Sequence, residues 1–288
     1  MRLVTFRRPG SDPEPGVLTG DRVVGLAGAG YRSLLSLIAA WDTARPEIEN
    51  FLASGASYEL SAVTLMAPIL RPPKLICIGL NYHDHAIESG LALPTIPLVF
   101  NKFTNVVIGP DDAIVLPANS EKPDYEVELA VVIGKGGRHI PADRWQEHVF
   151  GYTIVNDVSA RDWQMQTSQW IMGKTFDTFA PMGPCIVTAD EIADPHNLSI
   201  QMEVGGEMRQ NSNTKELIFR IPQLVSHLSS VVTLEPGDVI CTGTPAGVGF
   251  GFKPPKWLLA GQECVARIEG IGELRNPCVA ETVQSAGA

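Results

Sequence analysis

From about residue 75 onward the chain alternates short apolar runs with polar breaks that carry glycine or proline, the punctuation of strands rather than helices. K-L-I-C-I-G, P-L-V-F-N-K, A-I-V-L, V-E-L-A-V-V-I-G, G-Y-T-I-V-N-D, C-I-V-T, S-I-Q-M-E-V-G-G, D-V-I-C-T-G and E-C-V-A-R-I-E are the predicted strands. Helical spacing is confined to Tyr82 to Ser89, Ala160 to Gln166 and Phe219 to Val231. The last of these sets Ile221, Leu224, Val225 and Leu228 on one face. So large an excess of strands predicts an α+β, β-rich fold, a curled sheet with flanking helices, and disfavours a doubly wound one. Ahead of it, residues 1–68 read as a small N-terminal α/β domain, with strands in L-V-T-F and G-V-L-T-G-D-R-V-V-G-L and helices at 31–41 and 46–52. The segment A-P-I-L-R-P-P-K, with three prolines, reads as the linker to a larger domain over 73–288.

One strand breaks its own pattern. In D-Y-E-V-E-L-A-V-V-I-G, Asp124, Glu126 and Glu128 fall at alternate positions just before a core-like run. A strand would put them on one face, roughly 6.5–7 Å apart per step. Like charges there are unfavourable unless something cationic faces them. Asp157 ends G-Y-T-I-V-N-D, and three carboxylates at one point, Glu126, Glu128 and Asp157, suit a hard divalent cation. The competing reading is a solvated face of an edge strand.

Four further segments could carry chemistry. In N-Y-H-D-H-A-I-E-S-G, His85 and Glu88 lie three apart on one helical face, a spacing that lets a carboxylate orient an imidazole base; an incidental surface pair has the same spacing. In D-V-S-A-R-D-W-Q, Ser159 and Asp162 resemble a capping box, and Arg161 or Gln164 could reach a substrate oxygen or simply neutralise a nearby acid. In G-K-T-F-D-T-F-A-P-M-G-P, Lys174 stands among apolar residues, as a positioned cation or as a tip that snorkels to water. C-T-G-T-P-A-G-V-G-F-G-F is either a plain turn or one whose backbone amides and Thr244 approach a carboxylate. No phosphate loop, dinucleotide fingerprint or G-x-S-x-G elbow is present.

Composition narrows the class. Of 288 residues, 44% are hydrophobic and 19% charged, which fits a globular chain. The net charge of −10 argues against nucleic acid as partner, and no segment has the apolar length of a membrane span. The five scattered cysteines have no zinc spacing and read as reduced thiols. With no leader pattern at Met1, these features predict a cytoplasmic chain.

In this order, G-L-N-Y-H-D-H-A-I-E, the E-x-E strand, N-D-V-S-A-R-D-W-Q, G-K-T-F-D-T-F-A-P-M-G-P and T-G-T-P-A-G-V-G resemble the fumarylacetoacetate hydrolase superfamily. G-K-T-F-D-T-F with K-P-P-K-W-L looks most like its domain-containing protein 2 subgroup and is also similar to bacterial diketo-sugar-acid hydrolases. The resemblance implies a mixed β-roll, a homodimer, and Mg²⁺ (or Mn²⁺) held by Glu126, Glu128 and Asp157. It implies His85 and Glu88 as a dyad on a lid, and Lys174 and Gln164 on the reacting oxygens. Lys102, Arg161 and Thr244 would lie near the carboxylates of a small anionic 2-oxo acid. The expected activity is C–C hydrolysis of a fumarylpyruvate-, acylpyruvate- or diketo-acid-like substrate through an enolate. The alternative is oxaloacetate keto–enol tautomerisation or decarboxylation, or a hydroxyheptadienedioate-type isomerisation. A non-catalytic scaffold would be expected to have lost an acid or the dyad, and all are present. Asp124 has no ligand role in the motif and is expected at the exposed mouth of the strand.

Overall fold

The computed structural model describes residues 1–282. Its middle is the strand Val127–Ile133, which pairs antiparallel with Val149–Asn156 on one side and Val239–Cys241 on the other. All seven residues are buried. Val127, Leu129, Val131 and Ile133 join one apolar cluster, while Ala130 and Val132 join a second. Both faces of the sheet are therefore covered, which is why this run is continuously apolar.

The strand belongs to a 12-stranded mixed sheet. Beyond Val149–Asn156 come Ala180–Thr188 and then Arg2–Arg7, so the first segment of the chain extends the same sheet. On the other side, Val239–Cys241 runs parallel to Leu75–Gly79, and Leu98–Asn101 forms the edge. A five-stranded sheet including Ser199–Val204 and Glu263–Ile268 shares the Leu129 cluster through Ile200, Met202, Ala266 and Ile268. Helices Leu34–Ala39 and Trp41–Phe51 share the Ala130 cluster through Leu37, Ile38, Ala44 and Ile48. Sheet on one face and helices on the other give the expected β-rich α+β architecture.

Several elements differ from the sequence pattern. The N-terminal helices start and stop elsewhere than expected, because the Ser33 hydroxyl caps the first by accepting from the Ser36 amide at 3.1 Å. Strands Glu207–Asn213 and Gly272–Ala280 were not anticipated. The first is largely polar yet pairs along Ser199–Val204, and the second hides its period-two signal in Leu274, Asn276 and Cys278, which alone face inward. The capping box at Ser159 does not form. Helix Arg161–Gln164 begins at Ala160 with no side-chain cap, while Asp162 accepts from the Ser120 hydroxyl and the Glu121 amide. The five cysteines are free and buried, and among the described residues no helix is long and apolar enough to cross a membrane.

Candidate active site

Strand register assembles the acids. Val127 lies opposite Asn156, which places Glu126 beside Asp157; the Asp157 amide donates to the Glu126 carbonyl at 2.8 Å. Asn156 in turn accepts the Glu126 amide through Oδ1 at 3.0 Å. Glu126, Glu128 and Asp157 are all buried, and one carboxylate oxygen from each lies within 4.8 Å of the others.

The cations that the sequence demanded are present. Lys174 Nζ lies 2.6 Å from Glu126 and 2.8 Å from Asp157. Lys102 Nζ reaches Asp157 at 2.5 Å and donates to the Val158 carbonyl at 2.9 Å. Arg161 spans two acids, 2.5 Å from Glu126 and 2.8 Å from Asp124. Lys174 is thus a buried, positioned cation and not a snorkelling tip.

Glu128 is the exception. It has no cationic partner among the described residues and accepts only the Gly243 amide, at 2.8 Å. Burial first, then repulsion from Asp157 and Glu126, pushes its carboxyl well above the usual range. Burial acts on Glu126 in the same direction, but Arg161 and Lys174 outweigh it and hold that carboxyl far below the usual range. Burial lowers Lys174, yet Asp157 and Glu126 leave it raised. Four buried carboxylates against three cations leave one negative charge uncompensated, at Glu128. A donor set of carboxylate oxygens with a surplus negative charge fits a hard divalent ion.

Asp124 corrects the sequence reading. It is fully buried rather than exposed at a strand's mouth, because Pro123–Asp124 pairs with Ser159–Ala160 in a separate two-stranded ribbon. Asp124 and Glu126 still face the same side, where both meet Arg161. Besides Arg161, Asp124 accepts the amides of Gly249 at 2.6 Å and Phe250 at 3.0 Å. The glycine-rich turn does bring amides to carboxylates, and they are the protein's own: Glu128, Asp124 and, through Gly247 at 2.9 Å, Glu88.

Glu88 stands on helix His83–Ser89 with His85, whose Nδ1 is 3.1 Å from its carboxylate. That contact leaves Nε2 as the nitrogen free to meet a substrate. The helix is tied down at its start by Asp84, which accepts from the Ser212 hydroxyl at 2.6 Å.

His85, Glu126, Glu128, Arg161, Gln164, Lys174 and Thr244 all open on one cavity of about 340 Å³. Gln164 accepts from Arg161 at 2.9 Å, which fixes its amide. Thr244 donates to the Val127 carbonyl at 2.9 Å. Lys102 does not line this cavity and sits behind the triad, against Asp157. Asn156 and the buried role of Asp124 escaped the sequence reading, and the parity of Asp124 with the two glutamates is the signal that marked the second.

Residues 74–279 match the model of the fumarylacetoacetate (FAA) hydrolase C-terminal domain. The chain is 45% identical over 287 residues to "oxaloacetate tautomerase Fahd2a, mitochondrial" of Rattus norvegicus, covering 97% of this chain and 92% of that protein. It is 44% identical over 298 residues to the mitochondrial oxaloacetate tautomerase FAHD2A of Homo sapiens, with the same coverage, 97% and 92%. Among solved structures, maleylpyruvate hydrolase from Sphingobium sp. SYK-6, in complex with manganese(II) and pyruvate, superposes with a TM-score of 0.84. It is 31% identical and covers 98% of this chain and 100% of its own.

These names overturn the expectation of a cytoplasmic location, since the rat and human relatives are mitochondrial. Reduced cysteines separate oxidising from reducing compartments and cannot tell two reducing ones apart. With the matched stretch enclosing the acidic triad, the dyad and every cation that faces them, this chain belongs to the fumarylacetoacetate hydrolase family.

Proposed function

We propose that this protein is a divalent-metal-dependent oxaloacetate keto–enol tautomerase. The observation that carries the reading is the likeness, along 97% of the chain, to relatives named for that reaction. It replaces the first expectation of C–C hydrolysis. The geometry is compatible, because tautomerisation asks for one proton-handling group above a polarised 2-oxo acid, and His85 with Glu88 is such a group.

Glu126, Glu128 and Asp157 would hold the ion, Mg²⁺ in the first instance and Mn²⁺ as a substitute. When bound, it supplies Lewis acidity that polarises the 2-oxo group. The residues do the rest. Glu88 fixes the imidazole so that Nε2 takes a proton from C3 or returns one to it. Arg161, Gln164 and Thr244 orient the carboxylate end, and Lys174, adjacent to Glu126 and Asp157, places positive charge beside the oxygens. Lys102 acts through Asp157.

The exposed apolar residues Leu98, Val99 and Phe103 along the outer edge of the large sheet support a homodimer as part of this reading. Size-exclusion chromatography with light scattering checks the mass.

The assay is the decay of enol-oxaloacetate absorbance with Mg²⁺, then in EDTA, then after Mg²⁺ or Mn²⁺ is restored. Acceleration that disappears in EDTA and returns with metal is expected. Full activity in EDTA would sink the metal assignment, and an uncatalysed rate at every metal concentration would sink the reaction.

A further inference from the structure

The cavity that receives the 2-oxo acid has two unlike kinds of lining, ionic and apolar. Apart from Glu128, which accepts only the Gly243 amide, the ionic groups on its wall are already engaged. Arg161 is held by Asp124, Glu126 and Gln164, Lys174 by Glu126 and Asp157, and His85 by Glu88. The apolar part of the lining includes Leu80, Leu91, Met165, Trp170, Val248 and Phe250.

Trp170 makes this part more than a loose apolar rim. Its ring meets Phe100 edge to face, centroids 5.5 Å apart at 67°, and Phe100 is also part of the cavity wall. The ring lies directly on Gly79, where an added Cβ would come within 2.5 Å of it. A glycine at the end of strand Leu75–Gly79 thus leaves room for an indole shelf. Across the opening, Leu91, Met165 and Phe250 are 58%, 68% and 53% exposed, an unusual solvent exposure for three large apolar side chains around one cleft. An aromatic ring placed against Trp170 and Phe100 would stack and be desolvated, with the Lys174 ammonium 5.1 Å from the Phe100 ring centroid.

We propose that the same site also interconverts the keto and enol forms of arylpyruvates, 2-oxo acids that carry an aromatic ring on C3. This rests on the tautomerase reading above and extends its substrate class. The ring occupies the shelf of Trp170 and Phe100 while the 2-oxo carboxylate lies against the ionic part. His85 Nε2 takes a proton from C3, and the C–H electron pair becomes the C2–C3 double bond. The displaced carbonyl pair is protonated on oxygen from water, and His85 returns its proton to water. The net change is an isomerisation that requires no co-reactant. Burial of a phenyl-sized group favours phenylpyruvate over a 2-oxo acid of the same head without the ring by about tenfold to a hundredfold in KM.

The test measures ketonisation of enol-phenylpyruvate and of enol-oxaloacetate by loss of enol absorbance, with one Mg²⁺-loaded preparation. It is repeated with Met165→Asp, an exposed rim position where folding is checked by melting. The expected result is acceleration of both substrates, and in Met165→Asp a fall of about tenfold in the ratio of kcat/KM for phenylpyruvate to that for oxaloacetate. Acceleration of oxaloacetate alone overturns the arylpyruvate inference and leaves the tautomerase reading standing. Acceleration of phenylpyruvate alone does the reverse. A ratio unchanged in the folded variant overturns the role of the apolar lining in holding the ring, and a preparation that accelerates neither overturns both.

Discussion

Replacing Asp124 by alanine should be far more costly than its absence from the expected ligand set implies. The carboxylate is fully buried and receives Arg161 Nε at 2.8 Å together with the amides of Gly249 and Phe250. Removing one member of a buried, hydrogen-bonded ion pair costs about 3–5 kcal/mol, because the remaining charge and donors lose their partner while still desolvated. At about 2–4 °C per kcal/mol for a chain of this size class, the melting temperature should drop by about 6–20 °C. Asp124→Asn keeps an acceptor for the Gly249 amide but sets an NH₂ group or a neutral oxygen against the guanidinium. Its loss should stay near the 1.5–3 kcal/mol of a charge-assisted hydrogen bond, about 3–12 °C. Because Asp124 acts through Arg161, Asp124→Asn assayed well below its melting point should show a larger rise in KM for oxaloacetate than fall in kcat. Thermal melts of the three proteins and Michaelis curves at one low temperature are sufficient. An alanine variant melting within about 2 °C of the parent would refute the claim that this carboxylate holds the arginine and the turn together.

Other outcomes follow from single contacts. Gly251→Ala would put a Cβ 2.4 Å from the Glu88 carboxyl, and since that is the tip of a flexible side chain, the turn survives while the dyad is displaced. Activity should fall by at least about tenfold with melting nearly unchanged, and a large loss of stability would contradict this. Gly173→Ala meets backbone instead, 2.3 Å from the Gln164 nitrogen, so relief requires moving the segment that carries Lys174. It should lower stability by about 1–3 kcal/mol in a denaturant titration, together with activity. His196 accepts the Ile221 amide at the start of helix Ile221–Val231 through Nε2 at 3.2 Å, with Asp194 and Arg220 nearby. Burial depresses its pKa below 6.5, and the Arg220 charge adds to this against the opposing pull of Asp194. The unfolded chain therefore takes up the proton first. The stabilising contribution is present in full above pH 6.5 and is lost as pH falls below it through the folded value. Melting curves between about pH 5 and 8 should steepen on the acid side for the parent and flatten for His196→Asn.

How much of this was visible in the residues differs between elements. Val127–Ile133 announced itself because burial on two faces leaves an unbroken apolar run. Glu126, Glu128 and Asp157 were legible because like charges at the ends of apolar strands demand a counter-charge, and the order of five motifs gave the family. Strand Glu207–Asn213 was not, since its inward position is Gln210, whose side chain bonds the Val127 amide and Thr244 instead of packing in an apolar layer. The parity of Asp124 was right and its exposure was not, because the pairing of Pro123–Asp124 with Ser159–Ala160 and the turn at Gly249 that bury it are tertiary contacts. The choice between hydrolysis and tautomerisation was beyond the sequence because both use the same carboxylates and dyad. They differ only in whether a water or a proton reaches the carbon.

The catalytic assembly is built from parts of very different permanence. The acids and their counter-charges are locked between sheets, where any change of size or sign is felt by several neighbours at once. The imidazole rides on a seven-residue helix at the surface, fastened through Asp84 to Ser212 of strand Glu207–Asn213 and through Glu88 to the Gly247 amide of the turn. A substitution in that helix or its turn therefore alters the imidazole alone, whereas one in the charged interior disturbs every acid and cation packed there.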